Sequence, residues 1–166
     1  MNENDAFCKI VNRYKGNKAI FIADRGYESY NGFEHVNKTG NKYLIRVRDI
    51  DLRHSITQSF GPYPDEEFDL DVFRMLTLKQ TNMTKVCKQL YKFVPSNARF
   101  DFMSKEDPWY EFNCRVVRFK ITDMIHMSVL LLILIGRNSL LMVLKIYIIN
   151  VGVLRLHLEN LNTPLD

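Results

Sequence analysis

The chain has 166 residues, of which 46% are apolar and 25% charged, and a formal net charge of +4. Those figures exclude a chain too short or too polar to build a core, and they are ordinary for one globular domain. The mild basic excess fits solvated surface lysines as well as it fits a nucleic-acid partner.

The elements can be taken in chain order. Phe7, Ile10, Val11 and Tyr14 fall at i, i+3, i+4 and i+7, the apolar stripe of an amphipathic helix. Asn4 or Asp5 suits its cap, and Gly16 the position just past its end. Ala19-Ile20-Phe21-Ile22-Ala23 is a short unbroken apolar run between two helical patterns, which predicts a buried parallel strand. That run stops abruptly at Asp24-Arg25-Gly26-Tyr27. A second helix is expected over Ser29 to Lys38, stopped near Gly40. Tyr43-Leu44-Ile45-Arg46-Val47-Arg48 then reads as a strand with Tyr43, Ile45 and Val47 on one face. A helix–strand–helix–strand order of this kind predicts an α/β layer.

From Asp49 to Thr122 the pattern changes. Gly61-Pro62-Tyr63-Pro64 and Asp107-Pro108-Trp109 mark turns. Phe112, Cys114 and Val116 alternate with Asn113, Arg115 and Val117, the signature of a strand running on to Ile121. This stretch reads as a mostly β insertion, and its acidic run Asp65-Glu66-Glu67-Phe68-Asp69 as a solvated loop. From Met124 to Leu158 the chain is almost continuously apolar, with Arg137, Lys145 and Arg155 its only full charges among basic residues before Glu159. Cys8, Cys87 and Cys114 show neither paired spacing nor C-x-x-C, so no disulfide framework or zinc site is suggested, and a reducing, cytoplasmic compartment is expected. The polar, acidic start Met1-Asn2-Glu3-Asn4-Asp5 is not a secretory signal.

An aspartate at the C-terminal end of a buried strand is the usual place for a catalytic group in an open α/β sheet, and Gly26 would permit a tight turn directly after it. Spacing alone allows a plainer role for Asp24, starting a turn or capping the next helix. The words around it carry more. Phe21-Ile22-Ala23-Asp24-Arg25-Gly26-Tyr27-Glu28-Ser29-Tyr30-Asn31 resembles the region around the second aspartate of bacterial insertion-sequence DDE transposases. The resemblance is to the subgroup whose last signature is Y-x-x-R-x-x-x-E-x-x-x-x-x-x-K. It continues through Tyr43 to Asp49 and returns at Tyr110 to Asp123.

The resemblance implies a ribonuclease-H-like catalytic core, represented here in part. Residues 1–50 would belong to that core, 51–123 to a β-rich insertion with a return strand, and 124–166 to a non-native apolar tail. It also implies two aspartates and a glutamate around two Mg²⁺ ions, which activate a water or 3′-hydroxyl and stabilise the oxygens entering and leaving phosphorus. Asp24 would be a metal ligand, with Arg25, Gly26 and Tyr27 as its motif neighbours. Arg46 and Arg48 would touch DNA phosphates at transposon ends, although a solvated strand edge explains them equally.

The other two carboxylates are expected to be missing. The family's first aspartate precedes the counterpart of Phe7, and Asp5 has no apolar strand before it. The third belongs in Y-x-x-R-x-x-x-E, a string absent from the chain; Glu159 lacks the Tyr and Arg at the required offsets. A change of reading frame near Asp123 accounts for this. The ATG of Met124 followed by the AT of Ile125 forces an overlapping Asp codon. Synonymous codons for Met124 to Gly136 then permit D-T-Y-E-C-I-V-T-N-L-D, and those for Ile146 to Leu165 permit D-I-Y-N-Q-R-W-G-I-E-T-S-F-R-E-F-K-Y-A-I. The second string holds the whole signature. Its Tyr straddles Tyr147 and Ile148, its Arg Asn150 and Val151, and its Glu Leu154 and Arg155. Out-of-frame A/T-rich codons also give Leu and Ile readily, which explains the tail's composition.

The expected product is an inactive transposase fragment that keeps some salt-sensitive affinity for DNA, with an aggregation-prone tail. A small membrane-associated protein anchored by 124–144 is the alternative, since that length crosses a bilayer. His126, Arg137 and Asn138 interrupt the run and make membrane insertion the poorer reading. Association with an intact transposase is a third reading on which the residues are silent.

Overall fold

The computed structural model describes residues 3–48, 50, 55–58 and 62–120, and the backbone of two further strands, 127–133 and 157–160. Helix α1 covers Glu3–Arg13, strand β1 Ala19–Ala23, a 3-10 turn Arg25–Tyr27, α2 Tyr30–Lys38 and β2 Lys42–Val47. There follow β3 (Phe68–Thr77), α3 (Asn82–Val86), β4 (Tyr91–Phe93), β5 (Trp109–Lys120), β6 (Met127–Ile133) and β7 (His157–Asn160). The fold is mixed α/β.

Among the described residues one seven-stranded sheet gathers the strands, in the order β4-β3-β5-β6-β2-β1-β7. Strands β1 and β2 are parallel, with Ala23 opposite Ile45, and α2 is the crossover between them. Parallel neighbours need such a connection because a tight turn can only reverse the chain. Strands β3 and β5 form a long antiparallel ladder from Phe68↔Arg118 to Thr77↔Trp109. The β-rich stretch therefore extends the same sheet. Of the apolar tail, 127–133 lies between β2 and β5 and 157–160 pairs antiparallel with β1. The rest of 124–144, and the residues assigned to the out-of-frame signature before 157, lie outside the described residues. No helix among the described residues is long and apolar enough to cross a membrane.

Burial explains the first elements. Phe7, Cys8 and Val11 form the buried face of α1, while Ile10 is 41% exposed. At about 100° per residue, Ile10 falls on the rim of the arc centred near Val11, so the stripe is narrower than its spacing suggests. Asn4 and Asp5 lie inside the first turn of α1 instead of capping it. Gly32 lets α1 approach α2, since a Cβ there would meet the Phe7 ring at 3.3 Å. Ser29, expected as the first residue of the helix, instead caps α2 by accepting from the Gly32 N–H, so the helix body starts one residue later than expected. Gly40 ends this segment at φ 73°, a left-handed backbone that favours glycine. Between the helices and the sheet, Phe33 stacks on Tyr43 at 4.9 Å and also meets Phe112. That contact joins α2 to both β2 and β5.

A polar clasp holds the helices to the loop before β5. Asp101 receives hydrogen bonds from Arg99 Nε, His35 Nε2 and Asn31 Nδ2, at 2.8, 2.9 and 3.2 Å respectively. Arg99 also reaches Asp5 on α1 at 3.0 Å. Burial alone would push the Asp101 pKa up, but the three donors outweigh it and hold the carboxyl at about 2, below its ordinary 3.8.

Two stability predictions follow from these contacts. Truncating Phe33→Ala removes a wholly buried ring and should cost about 3–5 kcal/mol in urea denaturation, whereas Ile10→Ala should cost roughly 1 kcal/mol or less. Because the folded-state pKa of Asp101 is depressed, its contribution is complete above the unfolded value of 3.8 and disappears as pH falls toward about 2. Wild type should therefore lose on the order of 1 kcal/mol more than Asp101→Asn across that window, a figure reduced for partial solvent exposure. Parallel pH curves for the two proteins would contradict the clasp.

Candidate active site

The parallel pairing of β1 and β2 brings both C-terminal ends to one edge of the sheet. Ala23 lies opposite Ile45, so the next step along each strand puts Asp24 level with Arg46. Strand β1 is buried along most of its length, which fixes the backbone that presents Asp24. The plainer capping role is not what its side chain performs. Asp24 precedes the 3-10 turn without any side-chain cap bond, and Ser29 caps the helix that follows. Its Oδ1 is buried and has no hydrogen-bond partner. A buried, unpaired carboxylate oxygen is costly, and such groups concentrate where a protein keeps an acceptor for a ligand.

The surrounding charge is positive. Arg46 is half-buried, and its pKa is lowered first by desolvation and then by neighbouring Arg25, against the favourable influence of Asp24. Arg46 Nε is buried without a hydrogen-bond partner, and no ion pair closes between Arg46 and Asp24. Asp24, Arg25 and Arg46 thus share one electrostatic environment.

Tyr27 turns inward and packs against Phe7 at 5.4 Å, anchoring the loop. Gly26 follows a different logic from a forced turn. Its φ is not left-handed, and a Cβ there would meet only Glu3 Oε2 at 3.4 Å, so the described fold does not require glycine at this place. Arg48 is exposed, and the structure fixes its backbone N–H on Glu28 Oε2 at 3.2 Å. The other Glu28 oxygen accepts from the Ile56 N–H. Glu28 is the positioning residue that sequence reasoning passed over. Its carboxylate ties the loop after Asp24 to the chain after β2, and only its place inside the D-R-G-Y-E run hinted at it.

Asp24 offers a hard oxygen of the kind Mg²⁺ prefers. One carboxylate beside two guanidinium groups is nevertheless a poor seat for a divalent cation. No group of three His, Cys, Asp or Glu side chains suited to a metal occurs among the described residues. The described residues therefore do not fit a complete Mg²⁺ site. The acidic run 65–69 does not supply one either, since Asp69 is ion-paired with Arg115 across the β3–β5 ladder.

Comparison with protein-family models, curated proteins and solved structures finds no match for this chain.

If Asp24 held the fold together as a cap, Asp24→Ala would cost about 1 kcal/mol. An aspartate kept for a ligand behaves differently. Asp24→Asn should leave the melting temperature unchanged, since its side chain makes no cap bond for the fold to lose. Thermal unfolding followed by circular dichroism distinguishes the two, and a clear drop in Tm would assign Asp24 to structure.

Proposed function

We propose that the chain is a fragment of a bacterial DDE transposase, with a partial ribonuclease-H-like core, and that it does not itself catalyse DNA strand transfer. The observation that carries this reading is Asp24. It sits at the end of a buried strand beside a parallel partner, makes no capping bond, and keeps a buried oxygen without a partner. The D-R-G-Y run around it supplies the resemblance to the family, and Arg46 at the same level suits a contact to a DNA phosphate.

Inactivity follows from the chemistry. Phosphoryl transfer of the family's type depends on three converging carboxylates around Mg²⁺, and Asp24 is the one that the resemblance carries onto this chain. The glutamate belongs to a helix that the tail spells only in another reading frame. What remains for the fragment is binding: phosphate contacts through Arg46 and Arg48, sequence-independent and weakened by salt.

The decisive assay incubates the purified chain with duplex DNA carrying terminal inverted repeats, in Mg²⁺ and in Mn²⁺. No nicking, hairpin formation or strand transfer is expected. Metal-dependent cleavage that disappears in Asp24→Asn would overturn the claim of inactivity. The gene itself tests the frame change. Its bases from codon 120 onward, shifted by one, should spell Y-N-Q-R-W-G-I-E, and any other reading there removes the account of the tail.

A further inference from the structure

A cleft of about 730 Å³ opens between the start of α2, the 55–58 turn, β4 and the loop before β5. Its size falls in the range of small-ligand pockets. It shares Glu28, Ser29 and Tyr30 with the segment that follows Asp24, but neither Asp24 nor Arg46 lines it, and its cations come from outside the run that resembles the transposases.

Its charge is mainly positive and comes from the stretch around β4 and from the loop before β5. Lys88, Lys92 and Arg99 all line the cleft. Arg99 is held by Asp5 and Asp101, whereas Lys88 and Lys92 form no ion pair among the described residues. Behind them Arg74 is wholly buried, donating to the Lys88 carbonyl and lying against Tyr30, another lining residue. The Lys92 pKa is lowered by desolvation and then by Arg74, so the buried guanidinium is felt at the cleft wall. Glu28 is the one carboxylate in the lining, and both its oxygens already accept backbone N–H groups, from Arg48 and Ile56. Arg74 disfavours the charged form of Lys92, and an anion in the cleft offsets that repulsion.

We propose that this cleft binds a phosphate ester, its oxygens held by Lys88 and Lys92 above the buried Arg74. A phosphate suits the site better than a carboxylate because it carries more charge and more acceptor oxygens for two separate ammonium groups. The volume exceeds what a bare anion fills, so there is room for the esterified group as well. The phosphate can belong to a free nucleotide or to a nucleic-acid strand. The proposal goes beyond the transposase reading and does not rest on it.

Isothermal titration calorimetry with thymidine 5′-monophosphate and with a short oligothymidylate tests it, on the full chain, at low and high salt. Wild type should bind at least one of the two, more weakly as salt rises. A Lys88→Ala/Lys92→Ala variant should lose about tenfold or more in affinity with an unchanged Tm, since both side chains reach solvent. Lys92→Met, which keeps the apolar stem, should weaken binding in the same direction if the double variant folds poorly. Binding of the mononucleotide identifies a free ester as sufficient; binding of the oligonucleotide alone identifies a strand. Absence of binding to either probe, or affinity that survives both lysine variants and falls instead in Asp24→Asn, overturns the proposal.

Discussion

The parallel pairing of β1 with β2 is the constraint from which the candidate active site follows. Two parallel strands finish at the same edge, so the residues that follow them are brought together whatever their separation in sequence. Asp24 and Arg46 meet for that reason. The crossover also dictates α2, whose Phe33 must then cover Tyr43 and reach Phe112. A hairpin connection would have sent the end of β2 to the opposite edge and left Asp24 without its basic neighbour.

The two polar centres of the molecule are built on opposite electrostatic principles. Around Asp101, one carboxylate collects donors from Arg99, His35 and Asn31, and the charge is satisfied within the fold. Around Asp24 the carboxylate is left incompletely solvated by protein, and the nearest arginines stop short of an ion pair. The first arrangement stabilises the folded chain; the second leaves a buried acceptor oxygen unpaired. Glu28 separates the two regimes structurally. By accepting from both Arg48 and Ile56 it stiffens the loop after Asp24 without neutralising it.

The first fifty residues were largely legible in the sequence because their signals are local. The Phe7–Val11 spacing, the apolar run 19–23, Ser29 before a helix and Gly40 after it each act within a few residues. Asp24 stood out for the same reason, at a sharp boundary between an apolar run and a turn. The later strands were harder, since pairing partners lie far apart. Nothing local shows that Phe68–Thr77 faces Trp109–Lys120, or that Arg74 would be buried. Its alternation with Val72 and Leu76 put a cation in an inward phase, and that was the available clue. The contacts of Glu28 and Asp101 depend on loops brought together by the finished sheet, and no periodicity encodes them.

The clasp of Arg99 on Asp5 joins residues 94 positions apart in the chain. Helix α1 can therefore coil early from its own apolar stripe, yet its docking is completed only after the β-rich half has closed a long loop, with the entropy such closure demands. The N-terminal helix is tethered by a loop in the second half of the chain, and its anchorage reports on whether that distant loop is in place.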